Sequence, residues 1–309
     1  MRLDIVAFLT ATLIAIQARA NGELSHLLGN PIQAATVSFG SGLLIIAIFA
    51  ATHHGMRQGL LGIKHAVKEG KLQRWNLFAG MLGGTFVAIQ TNTVPLIGVA
   101  IYSVASISGQ TISSLIVDSF GLSGGSKKQI TFRRIFASFI TVFAVLVSVW
   151  DRIDAKNLTL LPVALAGLAG GIVGIQRALN GKINIYSGQH WTTSLLNFIM
   201  GTSFLLILTA ILIPAGHYKF EPLPSGPWWI YTGGVLGVIY IAYSATIVQH
   251  LGVLASTLLS VGGNLFGALI IDWLAPIHGA KVSIWLVSGI CLSFLGVIVG
   301  GVSSQQQKR

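Results

Sequence analysis

Charge is scarce in this sequence, and acidic charge scarcest. Of 309 residues only 8 are Asp or Glu, and charged residues of both signs make up 9%, where a soluble domain carries about 25%. A soluble fold of this length needs a charged skin, and too few charges are present to cover it. The polar, charge-rich composition of disordered chains is missing as well. Cys291 is the only cysteine, which excludes a disulfide framework within the chain. No glycine-rich phosphate loop with its lysine occurs, and no HExxH. The 8 histidines are scattered without metal-ligand spacing. No serine- or cysteine-based catalytic arrangement is visible. We therefore expect no enzyme, no cofactor and no metal site. The net charge of +11 reflects missing acids more than abundant bases, so nucleic acid is not the expected partner.

What is abundant is hydrocarbon. Hydrophobic residues make up 53%, and the mean hydropathy is +0.78. A helix crosses a bilayer core with about 20 apolar residues. Ten segments qualify: 3–22, 31–52, 75–95, 98–118, 132–150, 159–179, 190–214, 227–249, 252–274 and 281–302. The segments at 98–118 and 252–274 are rich in Ser, Thr and Gly. They count because the links before them, VPLIG and QHLG, are short enough only for tight turns. Nine spans, or one re-entrant segment, are the alternatives. The first segment also reads as a signal peptide, but the apolar runs behind it need a membrane anyway, so a transmembrane helix is expected. Spans must be helical because unpaired backbone groups are costly in lipid. The 37 glycines allow close helix packing where lipid removes the hydrophobic driving force.

Ten spans put both termini on one side. That side would hold 14 of the 19 basic residues, including Arg57, Lys64, Lys68, Lys71 and Arg74 in one loop. The bias predicts cytoplasmic termini. Trp75, Trp150, Trp191, Trp228, Trp229 and Trp273 fall near span ends, as interfacial belts do.

The chain repeats itself. IQARANGEL at 16–24 matches IQRALNGKI at 175–183, so Gln17 pairs with Gln176 and Asn21 with Asn180. At the same offset of 159, Gly29 pairs with Gly188, Phe39 with Phe198 and Gly42 with Gly201. Further on the offset falls to 154: Gly80 pairs with Gly234, Gly83 with Gly237, Gly98 with Gly252, Gln110 with Asn264 and Asp118 with Asp272. The expected domains are 1–150 and 151–309, five spans each. Five is odd, so the second copy must enter the membrane from the opposite side, as in many secondary transporters.

Each half resembles the bacterial YdcZ (DUF606) family of the drug/metabolite transporter superfamily. In the first half the resemblance rests on IQARAN, SFGSGLL, GGTF and SGQTISSLIVDSFGL; in the second, GGNLFGALIIDWLA is a looser copy of the last. The resemblance implies an all-α integral membrane protein, ten transmembrane helices as two inverted five-helix repeats, in the bacterial cytoplasmic (inner) membrane. It implies a transporter of unassigned substrate. Many family members are single halves that must dimerise; this chain looks like a fused pair, expected to work as a monomer.

Candidate substrate-binding residues follow from polarity inside spans. Gln17 and Asn21 lie i, i+4 on one helix, and Gln176 and Asn180 repeat them; they face a shared cavity or serve as helix–helix glue. Arg19 and Arg177 lack repeat mates. Each either snorkels to an interface or contacts an anionic substrate. Gln110 and Asn264 are repeated and mid-span, and Tyr240 with Tyr243 forms an i, i+3 aromatic wall. Gln90, Tyr102, Trp191 and Asn197 are further polar or aromatic positions. Asp118 and Asp272 end their spans, where a cap or salt bridge (Lys127 or Lys128 for Asp118) competes with proton coupling. The expected function is secondary transport of a small organic metabolite by alternating access. The expected partners are that solute, anionic if an arginine points inward, and membrane lipid. A non-transporting receptor or accessory subunit is the other reading.

Overall fold

A computed structural model describes residues 3–122, 130–152, 160–276 and 282–306, without the side chains of 3, 4, 114, 118, 152, 244–258 and 300–306. The described elements are helical: α1 (Leu3–Leu28), α2 (Pro31–Thr52), α3 (His54–Lys68), α4 (Ala79–Ile97), α5 (Val99–Phe120), α6 (Phe132–Ser148), α7 (Leu160–Ser187), α8 (His190–Leu212), α9 (Gly233–Leu274) and α10 (Ile284–Gln306). Among the described residues five helical stretches, in α1, α2, α5, α7 and α8, are long and apolar enough to cross a membrane. Shorter apolar stretches cover Gly233–Tyr243, Leu259–Leu274 and Ile284–Val299. Large apolar side chains crowd the outside, Leu44, Ile48, Phe139 and Leu168 among them. Water would not tolerate that surface; a bilayer requires it.

Local chemistry sets the helix ends. Asn30 caps α2, its side chain accepting from the Gln33 N–H at 3.0 Å, with Pro31 at the first helical position. Gly29 and Gly188 close α1 and α7 in the same left-handed conformation, φ +61° and +60°, which glycine adopts without steric cost. The expected loop after α2 is instead the helix α3. Its Met56, Gly59, Ile63 and Ala66 are buried at helical spacing and pack it on α7 and α8. The basic residues that rule it out as a span leave this inner stripe intact.

The repeat is visible in who touches whom. A Cβ on Gly42 would lie 2.2 Å from the Phe198 ring, and one on Gly201 would lie 2.3 Å from the Phe39 ring. The two rings meet with centroids 5.1 Å apart. Along the same contact Thr36 reaches Thr209, and Phe49 reaches Trp191, so α2 and α8 run antiparallel. So do α6 and α10, where Gly289 sits against Ala144 and Gly296 against Ala137. The most extensive contacts are α1 with α9, α6 with α10, and α5 with α7. The two ends of α9 run in opposite directions past α1. Gly233 and Gly237 face Asn21 and Gln17, whereas Gly263 and Gly267 face Phe8 and Thr12. α5 runs parallel to α7, Ser106 and Ser113 facing Gly170 and Gly174, while on α4 Gly83 faces Gln176. The main core joins α1, α4, α5, α6, α7, α9 and α10, and a second forms around Phe39 and Phe198.

Candidate functional site

Two amide clusters occupy repeat-equivalent places, and they differ in how completely their hydrogen bonds are made. Gln176 and Asn180, one turn apart on α7, both meet Asn197 of α8. Gln176 Nε2 donates to Asn197 Oδ1 at 2.9 Å, and Asn180 Nδ2 to the same oxygen at 3.3 Å. Asn197 Nδ2 returns bonds to Asn180 Oδ1 at 2.7 Å and to the Thr193 carbonyl at 2.9 Å. This cluster is closed, and it ties α7 to α8.

The first-half cluster is open. Gln17 Nε2 donates to the Gly233 carbonyl at 3.1 Å, and the wholly buried Asn21 donates to Gln90 Oε1 at 3.1 Å. Asn21 Oδ1 and the Ser38 hydroxyl are buried without hydrogen-bond partners. Buried polar groups are nearly always satisfied, so two orphans in one place mark an unusual site. Gln90 Nε2 has no partner besides the buried Tyr102 hydroxyl, which lies between Gln90 and Ser106 within side-chain hydrogen-bonding reach of both. Ser38 escapes notice in the sequence. Its only signal there is its equivalence to Asn197 at the offset of 159.

The two arginines have different surroundings. Arg19 is ion-paired with Glu23 one turn on, and its guanidinium lies 5.2 Å from the Trp229 ring centroid. Arg177 is exposed. Its Nη2 donates to the Tyr240 hydroxyl, and its guanidinium lies 5.7 Å from that ring's centroid. Among the described residues no carboxylate pairs with it. Tyr243, one turn beyond Tyr240 and 45% exposed, meets Trp191 edge-on at 6.5 Å. Trp191 continues the aromatic series to Phe49 at 5.1 Å, and Phe49 to His53 at 5.0 Å. The structure thus joins Arg177 to Tyr240, and Tyr243, one turn on, to an aromatic series through Trp191. Phe49 and His53 extend it, and no repeat or spacing in the sequence marks them.

Gln110 and Asn264 are not brought together by any bond. Gln110 bonds Ser106 on its own helix at 3.4 Å, and Asn264 accepts from the Ser103 hydroxyl across helices at 3.4 Å. Asp272 caps α5: its two carboxylate oxygens accept from the Val99 and Ala100 N–H groups at 3.1 and 2.7 Å. The side chain of Asp118, together with Lys127 and Lys128, lies outside the described residues.

A family model described as "Putative inner membrane exporter, YdcZ" matches residues 3–147 and again 161–299. No curated protein matches the chain. A solved structure described only as "Crystal structure of protein" superposes with a TM-score of 0.57 at 13% identity, covering 99% of this chain and 98% of that one. At that identity the likeness is one of fold.

Proposed function

The chain belongs to the YdcZ family of inner-membrane proteins, and on that premise we propose that it is a secondary transporter carrying a small organic anion across the cytoplasmic membrane by alternating access. In this reading the chain crosses the bilayer ten times. α9 counts twice, and α3 lies along the cytoplasmic surface. Residues 1–150 and 151–309 are five-helix repeats of opposite orientation around a central site. The antiparallel packing of equivalent helices, α2 on α8 and α6 on α10, carries the reading. Copies related by a twofold axis in the membrane plane must place helices at that axis antiparallel to their twins. Both termini then face the cytoplasm, in keeping with the distribution of basic residues.

Arg177 gives the solute its sign. An exposed guanidinium that meets no carboxylate among the described residues and rests on a tyrosine suits an acid attached to a flat or apolar body. Arg19 is neutralised by Glu23 and is assigned to the periphery. Asn21 and Gln90 offer an acceptor and a donor to the solute's polar groups.

The test is solute binding and uptake by the purified full chain in proteoliposomes, screened against radiolabelled organic acids and their neutral amides. Arg177→Gln should weaken binding of an accepted acid about tenfold, equivalent to about 1.4 kcal/mol. Arg19→Gln should change it by less than about twofold. If Arg177→Gln binds and moves the same acids as the wild type, the anion reading fails. If single cysteines placed in 53–73 and 215–226, in a Cys291→Ser background, label from the same face, the inverted topology fails.

A further inference from the structure

A cavity of about 540 Å³ opens between α5, α6 and α7. Its walls include Ser108, Ile112 and Ser113 of α5, Val142 of α6, and Gly167 and Gly171 of α7. None of the candidate solute residues lines it. At its rim Ile112, Leu146 and Leu168 are 42%, 47% and 57% exposed, so the groove faces outward into the apolar surface. The Ser113 hydroxyl is already engaged, donating to the Gln110 carbonyl at 3.1 Å. Apart from the Ser108 and Ser113 hydroxyls the side chains of this lining are apolar, so it carries no charge to recognise a headgroup.

Two of the groove's glycines have no packing reason to be glycine. Neighbouring Gly109 and Gly170 do: a Cβ on either would lie 1.8 Å from a backbone oxygen of the facing helix. A Cβ on Gly167 would meet nothing nearer than 3.7 Å, and one on Gly171 nothing nearer than 3.8 Å. Both point into the open groove. A glycine inside a helix is less stable than an alanine there, because it has more backbone freedom to lose. The missing side chains therefore keep space clear at a cost in stability.

The other half of the chain fills the equivalent space with its own side chains. At the offset of 159 Gly167 corresponds to Phe8 and Gly171 to Thr12; at 154 Ile112 corresponds to Phe266. α6 opens at Phe132 and α10 at Ile284, an offset of 152, at which the contacts of Ala144 with Gly289 and Ala137 with Gly296 are reciprocal. That makes Phe294 the counterpart of Val142. The Phe8 and Phe266 rings lie 5.7 Å apart. Phe294 and Phe8 reach within 3.1 and 3.5 Å of where a Cβ on Gly262 would stand, and Gly262 is the counterpart of Ser108 in the groove. Three phenylalanines therefore occupy on one side what Gly167, Ile112 and Val142 leave open on the other.

We propose that this groove is a binding site for one acyl chain of a bilayer phospholipid. An unfilled apolar cavity forfeits the dispersion contacts of its lining. The chain's own filler in the twin position is hydrocarbon, and the surrounding medium supplies hydrocarbon in the form of acyl chains. The site depends on the membrane setting alone and is independent of the solute reading.

The test is native mass spectrometry of the full chain, released from detergent after addition of dioleoyl phosphatidylglycerol or dioleoyl phosphatidylethanolamine. The wild type should retain one lipid, of either headgroup, more tightly than the rest. Val142→Phe with Gly167→Phe, which copies the filled half, should weaken that retention at least about tenfold. The mirror variant, Phe8→Gly with Phe294→Val, should gain a second tightly held lipid, and it keeps the test open if the filled variant does not fold. Undiminished retention in the filled variant would overturn the site, as would no added lipid in the mirror variant. Retention that follows the headgroup would place the lipid at basic residues instead. A dimer by light scattering that the filled variant dissolves would make a second copy of the chain the occupant, and the proposal would fall.

Discussion

Asp272→Ala is the substitution whose cost the structure defines most closely. Gly98, at φ +81°, separates α4 from α5, and the first N–H groups of α5 have no acceptor in their own helix. Asp272, 3% exposed, answers two of them, Val99 through Oδ1 and Ala100 through Oδ2. Removing the carboxylate leaves two buried donors, each costing about 1–3 kcal/mol. It also takes a favourable negative group from a helix N-terminus, about 0.3–1 kcal/mol. Partial relaxation of α5 recovers some of this, so the expected loss is about 3 kcal/mol, a factor of roughly 150 in the unfolding equilibrium. Asp272→Asn keeps one acceptor oxygen and should lose about half as much. Steric trapping of the full chain in bicelles measures both. A loss under about 1 kcal/mol for alanine, or an asparagine variant no better than alanine, would show that the clasp between α9 and α5 is not held as argued.

The contact between α2 and α8 makes a paired prediction. Gly42→Ala should overpack Phe198 and cost about 1–3 kcal/mol. Phe198→Leu should restore most of the thermal stability lost in Gly42→Ala; Phe39→Leu should restore Gly201→Ala only in part, because a Cβ there also lies 2.8 Å from the Gly80 carbonyl oxygen, and the crossed combinations should restore nothing. Asn197→Ala strips both Gln176 and Asn180 of their shared partner. At about 0.6 kcal/mol per hydrogen bond in a membrane, it should lose about 2 kcal/mol in the same trapping assay. Asn21→Ala, which gives up a single bond, should lose less than half of that, and equal losses would contradict the difference between the clusters.

Much of the fold was legible in the chain. Asn30–Pro31 announces α2, which starts at Pro31 and ends at Thr52, the same bounds as its apolar run. Gly29 and Gly188, paired by the repeat, end α1 and α7 in one conformation. Two differences remain. α1 runs to Leu28 rather than stopping near 22, with Arg19 and Glu23 paired along the helix. α3 carries Arg57, Lys64 and Lys68 and so reads as a loop, although its buried stripe has helical spacing. At the site, the repeat marks Gln17 and Gln176. In the fold each amide lies over a glycine of the other half, Gln17 at Gly237 and Gln176 at Gly83. Which arginine is neutralised is local, and Glu23 four residues from Arg19 signals it. Which amides are satisfied depends on side chains of other helices that no local spacing brings together.

Ser38 shows how much one such side chain decides. Its counterpart Asn197 bonds both Gln176 and Asn180, whereas the serine hydroxyl makes no bond and leaves Asn21 Oδ1 unpaired. Each buried orphan costs about 1–3 kcal/mol, so the first half holds a strained polar site that a single longer amide could relieve. Ser38→Asn supplies it. If the open cluster exists only because the serine is short, the variant should unfold at a higher temperature than the wild type. If that cluster also serves the solute, the same change should weaken solute binding, since the introduced amide would occupy the free oxygen of Asn21 and crowd Gln90. A variant that is stabilised yet binds solute unchanged would separate the two roles and leave Arg177 with Tyr240 as the recognition surface. A destabilised variant would mean that the space beside Gly233 is too small for the amide, and that the two clusters differ by packing rather than by hydrogen-bonding reach.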